Sequence, residues 1–264
     1  MKIGIVQNET PKTLTVYNEL TRLLKENDLM IDNENPDIVI SIGGDGTLLS
    51  AFHQYAHRLE HTRFIGVHTG HLGFYTDWRE YELEELIDSL LNDSGESVSY
   101  PLLEVKLFCE EDNLEKRYLA LNESTIKSLE ETLVSDVHIK EEYFESFRGD
   151  GLCISTPTGS TGYNKSVGGA VIHPRLEALQ LAEMASLNNR VYRTLSSPLI
   201  IAPDEWIVLK PRPAGSYILT IDHLSLKEKE ITELRYKIAE ERIHFARYKH
   251  THFWNRVGDA FLGK

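Results

Sequence analysis

Three glycines and one carboxylate stand together at residues 43–47, Gly-Gly-Asp-Gly-Thr, directly after the apolar run Ile38-Val-Ile-Ser-Ile42. Glycines there permit positive φ and remove side chains, so backbone N–H groups can approach an anionic ligand closely. A helix beginning at this point adds the positive end of its dipole and free donors, which suits a phosphate. A carboxylate in the middle does not suit one, because Asp45 repels it. Asp45 therefore has a use of its own: capping the helix, holding a cation, or taking a proton from an attacking hydroxyl. On this segment alone, capping explains it as well as chemistry does.

A second phosphate-friendly stretch is Thr156-Pro-Thr-Gly-Ser-Thr-Gly-Tyr163, dense in hydroxyls and exposed amides that suit a ribose or a phosphate chain. Between the two lie Leu121-Asn-Glu-Ser124 and Arg148-Gly-Asp-Gly151, each putting polar side chains into an apolar strand context. Taken singly, each is more often a turn or an edge than a site. Two common nucleotide motifs fail. No predicted strand is followed by G-x-G-x-x-G. The nearest approach to a P-loop, Gly159 to Ser166, has its first glycine and Lys165-Ser166, but Asn164 stands where the second glycine belongs. His53, His57 and His61 fall at helical spacing, yet no Glu follows His53, so H-E-x-x-H is absent and a solvated helix face is the plainer reading.

The elements that must position these residues alternate at first. Lys2–Val6 reads as a strand, Pro11–Glu26 as a helix with Pro11 in its first turn, and Ile38–Ile42 as a strand covered on both faces. Helices over Thr47–Arg58 and Glu80–Leu91 flank a third strand, Arg63–His68. Repeated strand–helix units imply a parallel sheet, which binds ligands beyond the C-terminal ends of its strands, where the glycine cluster sits. After Pro101 short strand-like runs dominate, separated by EEDN, TPTGSTG and RPAGS, with one helical stretch expected over Arg175–Leu187. The fold class read from this is an α/β N-terminal domain with a parallel sheet plus a mainly β, sandwich-like C-terminal domain. The expected domains are residues 1–100 and 101–251, the second one β-rich, with a tail helix at about 252–264.

Composition bounds the partners. The 264 residues are 41% hydrophobic and 26% charged, an ordinary globular balance, and the net charge of −13 argues against nonspecific nucleic-acid binding. Cys109 and Cys153 are too few for a disulfide scaffold and read as buried, inert thiols of a reducing compartment. No apolar stretch reaches the ~20 residues of a membrane span, and the N-terminus has no signal-peptide core. The expectation is a cytoplasmic protein with neither a nucleic-acid nor a membrane partner.

The run GGDGT, then HTGHLGF at 68–74, NES, RGDG and TPTGSTGYN, in this order and at these intervals, resemble the NAD kinase family, over nearly the whole chain from residue 37 to the IDHLS at 221–225. GGDGT alone is shared with diacylglycerol and sphingoid-base kinases; the NES and TPTGSTGYN blocks single out NAD kinase. The resemblance implies transfer of a phosphoryl group from ATP, or in some members polyphosphate, to the 2′-hydroxyl of the adenosine ribose of NAD, giving NADP. It implies a divalent cation, Mg²⁺, with the donor. It also implies a last helix returning to the first domain and a homo-oligomer, commonly a tetramer, with the NAD site near a subunit interface.

Carried over residue by residue, the resemblance makes Asp45 the catalytic base and lays Gly46 against the ligand. Asn122 and Glu123 hold the adenosine end. Asp150 and the run Thr161, Gly162, Tyr163, Asn164, Lys165 and Ser166 bind adenine, ribose and nicotinamide portions, with Thr158 and Arg148 lining the same cleft. Phe74 and Tyr75 fall where the family packs aromatic surface near the adenine, and Ala185 and His223 follow from distance along the chain. No protein side chains are assigned as metal ligands. Two positions depart from the family: Gly162 stands where alanine is usual, and Ser50 where a basic residue is common.

Three readings stay open at this level: an ATP-dependent NAD kinase, a lipid kinase of the GGDGT type, and a nucleotide-binding sensor without turnover. The acidic balance and the absence of a basic amphipathic helix weigh against the lipid kinase.

Overall fold

The computed structural model describes residues 1–70, 72–110, 115–212, 215–229, 231–249 and 252–263. His71 of the HTGHLGF segment, parts of the EEDN and RPAGS turns, and residue 264 of the expected tail lie outside the described residues. The chain divides into two compact units, Met1–Ser99 with Arg242–Lys264, and Tyr100–Glu241.

The first unit is built on β1 (Lys2–Gln7), β2 (Met30–Ile31), β3 (Ile38–Ile42), β4 (Arg63–His68) and the short β5 (Trp78–Arg79). They pair in parallel, in the order β2-β1-β3-β4, with β5 on the end of β4. Helix α1 (Pro11–Glu26) forms because Val16, Leu20, Leu23 and Leu24 recur on one buried face, Pro11 pre-sets the first turn, and the Thr10 hydroxyl caps it by accepting the Thr13 N–H. Each fully buried leucine of that stripe stabilises the packing by roughly 1.5–3 kcal/mol. Helix α2 (Asp45–Gln54) follows β3, and α3 (Leu83–Leu91) buries Leu83, Leu86, Ile87 and Leu90. Sequence spacing carries α2 to Arg58, but it ends at Gln54 and Ala56–Arg58 forms a separate 3₁₀ turn. His53, His57 and His61 are therefore not stacked on one helix face. Because α1 carries the chain from β1 to β2 on one side while β3 lies on the other, the strand order reverses between the C-terminal ends of β1 and β3. That is the crevice where open α/β sheets place ligands.

The second unit is almost entirely strands. The chain enters it within β6 (Ser97–Cys109) and continues through β7 (Glu115–Ala120), β8 (Glu123–Ser128), β9 (Leu133–Ile139), β10 (Glu142–Gly149) and β11 (Gly151–Ser155). After the four-residue helix α4 (Tyr163–Ser166) come β12 (Leu179–Met184), β13 (Leu199–Ile201), β14 (Ile207–Pro211), β15 (Ser216–Ile221), β16 (Leu224–Lys229) and β17 (Ile231–Ala246). One antiparallel sheet runs β13-β12-β11-β8-β15-β16. A second set, β10-β9-β14-β17 with β6 and β7, packs its inner face against the first. Leu103, Val105, Val137, Phe147 and Leu209 from one sheet and Ile126, Leu152, Ile154, Leu219 and Ile221 from the other share one buried core, the arrangement of a sandwich.

In place of the helix expected over Arg175–Leu187 the chain forms the strand β12, Leu179–Met184, with turn and irregular backbone on either side. In β12, Leu179 and Leu181 enter that core, while Ala182 and Met184 pack with Cys153 on the opposite face. A strand covered on both faces loses the apolar–polar alternation that distinguishes it from a helix. The two thiols differ: Cys153 is buried and desolvation pushes its thiol up, but Cys109 is only half-buried. The chain leaves the second unit within β17, and the end of that strand belongs to the first unit, where His244 and Phe245 pair in parallel with Arg63 and Phe64 of β4. It closes with a helix, Phe253–Leu262.

Candidate active site

The glycines of the β3–α2 turn have different duties. Gly43 has φ +153, and a Cβ on it would lie 2.2 Å from Thr47 Oγ1 and 3.2 Å from Asn8 Nδ2, so the turn's tightness requires it. At Gly44 and Gly46 an added Cβ would meet nothing within 4 Å among the described residues. Both are exposed and leave the start of α2 open to an approaching group.

Asp45 is not the cap of α2. Gly44 occupies the cap position without any side-chain bond, and Asp45 is the first helical residue. Its carboxylate turns to the loop after β4: Oδ2 accepts the Phe74 N–H at 2.9 Å and Oδ1 the Tyr75 N–H at 3.1 Å. Each oxygen keeps lone-pair capacity for a further hydrogen bond, and the side chain is half-buried at the N-terminus of a ten-residue helix. Held by two amides, the carboxylate has a fixed direction and is able to receive a proton from a hydroxyl brought to it.

Of the other residues expected in this unit, Gly46 lies one position along α2. Phe74 packs its ring between Phe253 and Phe261, at centroid distances of 6.3 and 5.8 Å. Tyr75 gives its N–H to Asp45 but its ring to the core, stacked on Phe245 at 6.0 Å. Ser50, on the next turn of α2, donates its hydroxyl to Gly46 O at 3.1 Å. Sequence reasoning passed over Asn8, which follows β1, and Gly73; the available signals were a polar residue at a strand end and one more glycine in HTGHLGF.

In the second unit Asn122 directly precedes β8 and Glu123 opens it. Asp222, at the turn between β15 and β16 with φ +52, accepts the N–H groups of Leu121, Asn122 and Glu123 at 2.9, 2.7 and 3.2 Å and donates its own N–H to Glu123 O. His223 is exposed on the same turn. Glu123 is 8% exposed, and its carboxyl is pushed up to about 8 by burial first and by the nearby Asp222 charge second, against a hydrogen bond from the Tyr163 N–H. A carboxyl so placed is neutral near pH 7 and able to donate as well as accept. Gly162 abuts it: a Cβ there would lie 3.0 Å from Glu123 Oε2.

Asp150, Tyr163, Ser166 and Ala185 line one cavity of about 630 Å³, together with Lys127, Glu183 and Met184, which the motifs did not indicate. Tyr163 touches both groups, because Lys127 Nζ donates to its hydroxyl at 2.7 Å and lies 4.7 Å from its ring centroid. Ala185 has φ +46, while Asp150 donates its N–H to Met184 O at 2.9 Å. Thr158 and Thr161 stay within one 3₁₀ turn, and Asn164 is wholly buried. Asn122, Glu123, Arg148, Thr158, Thr161, Gly162, Asn164, Lys165 and His223 do not line that cavity. Arg148 stacks on the ring of Tyr192 at 3.9 Å, and Lys165 is exposed on α4. Among the described residues no three His, Cys, Asp or Glu side chains converge as a metal cage, and no helix is long and apolar enough to cross a membrane.

The family model described as the ATP-NAD kinase N-terminal domain matches residues 29–95, and the one described as the ATP-NAD kinase C-terminal domain matches residues 119–240. The NAD kinase of Lacticaseibacillus paracasei is 59% identical over 263 residues, covering 100% of this chain and 99% of that protein. The NAD kinase of Enterococcus faecalis is 57% identical over 264 residues, covering 100% of both. Two solved structures share the fold. Yeast NADH kinase complexed with NADH has a TM-score of 0.86 at 19% identity, over 100% of this chain and 87% of that one. An NAD kinase from Archaeoglobus fulgidus in complex with ATP has a TM-score of 0.78 at 22% identity, over 98% of each. With both family models matched and relatives above half identity along its full length, the chain belongs to the NAD kinase family.

Proposed function

We propose that this NAD kinase uses Asp45 as the base of its reaction, the transfer of the γ-phosphate of ATP to the 2′-hydroxyl of the adenosine ribose of NAD. The observation that carries the assignment is the carboxylate's setting: fixed by the Phe74 and Tyr75 amides, with spare lone pairs, between two exposed glycines at the start of α2.

The chemistry is consistent with a weak base. A carboxylate lies roughly ten pKa units below an alcohol, so it cannot remove the proton beforehand. Phosphoryl transfer passes through a largely dissociative transition state, in which the proton leaves late, once the oxygen is bonding to phosphorus. Asp45 then orients the 2′-oxygen in line and accepts its proton, help worth about 10²–10⁴-fold. The exposed amides after β3 stabilise phosphate charge, and positioning contributes the remainder.

Asn122 and Glu123 hold the adenosine end, and Asp150, Thr161, Gly162, Tyr163, Asn164 and Ser166 the rest of the dinucleotide, with Thr158, Arg148, Lys165, Ala185 and His223 as the further contacts the motifs imply. Mg²⁺ bound to the donor's phosphates would offset their charge. The residues present fit that role, because Mg²⁺ is usually held by one or two carboxylates plus substrate phosphates and water rather than by a cage of protein groups. The same reading extends to a cytoplasmic homo-oligomer, a tetramer, and to ATP in preference to polyphosphate, since Ser50 supplies no charge where a basic residue is common. The test is to incubate the protein with NAD, ATP and Mg²⁺ and follow NADP through a coupled NADP-specific dehydrogenase. Replacing ATP with polyphosphate should reduce the signal sharply.

A further inference from the structure

The loop that holds Asp45 is itself held. Arg256, on the Phe253–Leu262 helix, is 6% exposed and directs its guanidinium into residues 73–77. One nitrogen, Nη1, donates to Gly73 O at 2.5 Å and to Thr76 O at 2.9 Å, and Nη2 pairs with the Asp77 carboxylate. The first bond matters for the chemistry, because Gly73 O and the Phe74 N–H belong to one planar peptide unit. On one side that unit accepts from Arg256; on the other it donates to Asp45 Oδ2 at 2.9 Å. A cation on the carbonyl fixes the plane of the peptide and polarises its N–H toward the carboxylate, the cooperative strengthening expected of a hydrogen-bonded chain.

Two further contacts restrict the same loop. The Thr76 hydroxyl accepts the Gly73 N–H at 3.1 Å, and the Phe74 ring lies between Phe253 and Phe261 of the same helix. Asp77 donates its N–H to Gly66 O of β4 at 3.2 Å, so the clamp is anchored to the sheet.

We infer that Arg256 is a positioning residue for the phosphoryl transfer, aiming the Asp45 carboxylate through the Gly73–Phe74 peptide and so making the last helix part of the catalytic machinery. This rests on Asp45 being the base. Lysine is a poor replacement, because a single ammonium cannot reproduce the planar fork that reaches two carbonyls and a carboxylate together.

The test compares Arg256→Met and Arg256→Lys with wild type and Asp45→Asn, using the full chain. It reads kcat and KM for NAD, and separately the hydrogen exchange of the Phe74 amide by NMR. The expected result is a fall in kcat of about 10- to 100-fold in Arg256→Met, the scale of a misplaced catalytic group. KM for NAD should move by less than about threefold, since an interaction used mainly in the transition state is lost. Phe74 exchange should be faster, with Arg256→Lys intermediate in both readouts. If Arg256→Met fails to fold, Arg256→Lys carries the same comparison. Wild-type kcat in Arg256→Lys and any folded Arg256→Met, or a loss of kcat with Phe74 exchange unchanged, would overturn the inference. Wild-type turnover in Asp45→Asn would instead remove the base assignment, while the exchange data would still report whether Arg256 holds the loop.

Discussion

Gly73 lies so close to Asp45 that a Cβ on it would stand 2.2 Å from the carboxylate oxygen Oδ1 and 2.7 Å from Cγ. No side chain fits between the loop and the carboxylate, so Gly73→Ala must push Asp45 aside or open the loop. Either outcome breaks the geometry that the Phe74 and Tyr75 amides set, and displacement of a catalytic group by an ångström costs about 10²-fold in rate. Gly73→Ala is therefore expected to fold, to bind NAD nearly as the wild type does, and to lose about two orders of magnitude in kcat. Steady-state kinetics with a thermal melt as control checks it.

Glu123 links stability to pH. Burial and Asp222 raise its carboxyl from 4.5 in the ordinary state to about 8 in the fold. The folded protein thus binds a proton that the unfolded chain has released, and stability falls as pH rises from about 4.5 to about 8. The protonated group's contribution is fully present below the lower of these values and gone above the higher. Melting temperature recorded over this range should decline in the wild type and decline less in Glu123→Gln, which cannot ionise. Asp222→Asn, which removes the neighbouring charge, should flatten the profile in the same direction.

Asp222 also holds the start of β8 in place, as the acceptor for three successive N–H groups. Asp222→Ala leaves those donors to water or to nothing, a cost of about 2–3 kcal/mol from hydrogen bonds to a charged acceptor. Because the same loop carries Asn122 and Glu123, KM for NAD should rise as well. Chemical denaturation and kinetics on one preparation test both effects.

The departure at Gly162 has a measurable consequence. An alanine methyl there would stand 3.0 Å from Glu123 Oε2 and 3.3 Å from Gly159 O, so the carboxyl must give way by a few tenths of an ångström. Gly162→Ala is expected to change KM for NAD by about two- to fivefold with kcat unaltered, as for an interaction felt equally in ground and transition states.

Much of this was legible in the sequence where a local pattern and its neighbours agree. The β-branched residues of Ile38–Ile42 and the helical spacing over Pro11–Glu26 each specify one element, and both elements have the bounds read from the sequence. Strand β12 was not legible, because burial on both faces erased its alternation. Asp45 drew attention through its glycines, but sequence left capping and catalysis equal; the amides of Phe74 and Tyr75, 29 and 30 residues away, decide against the cap. Contacts made at long range are invisible to motif reading. Asp222 lies 99–101 residues from the N–H groups it binds, and Arg256 lies 180 and 183 residues from the carbonyls it grips. Neither carries a spacing signal.

The central claim is that the Asp45 carboxylate takes the proton of the ribose hydroxyl. Asp45→Asn retains the shape and one acceptor oxygen of the side chain but cannot serve as that base. NADP formation by Asp45→Asn, followed in the coupled dehydrogenase assay at saturating NAD and ATP with Mg²⁺, is predicted to fall by about 10²–10⁴-fold, with the melting temperature close to wild type. Turnover within a few-fold of wild type would contradict the account.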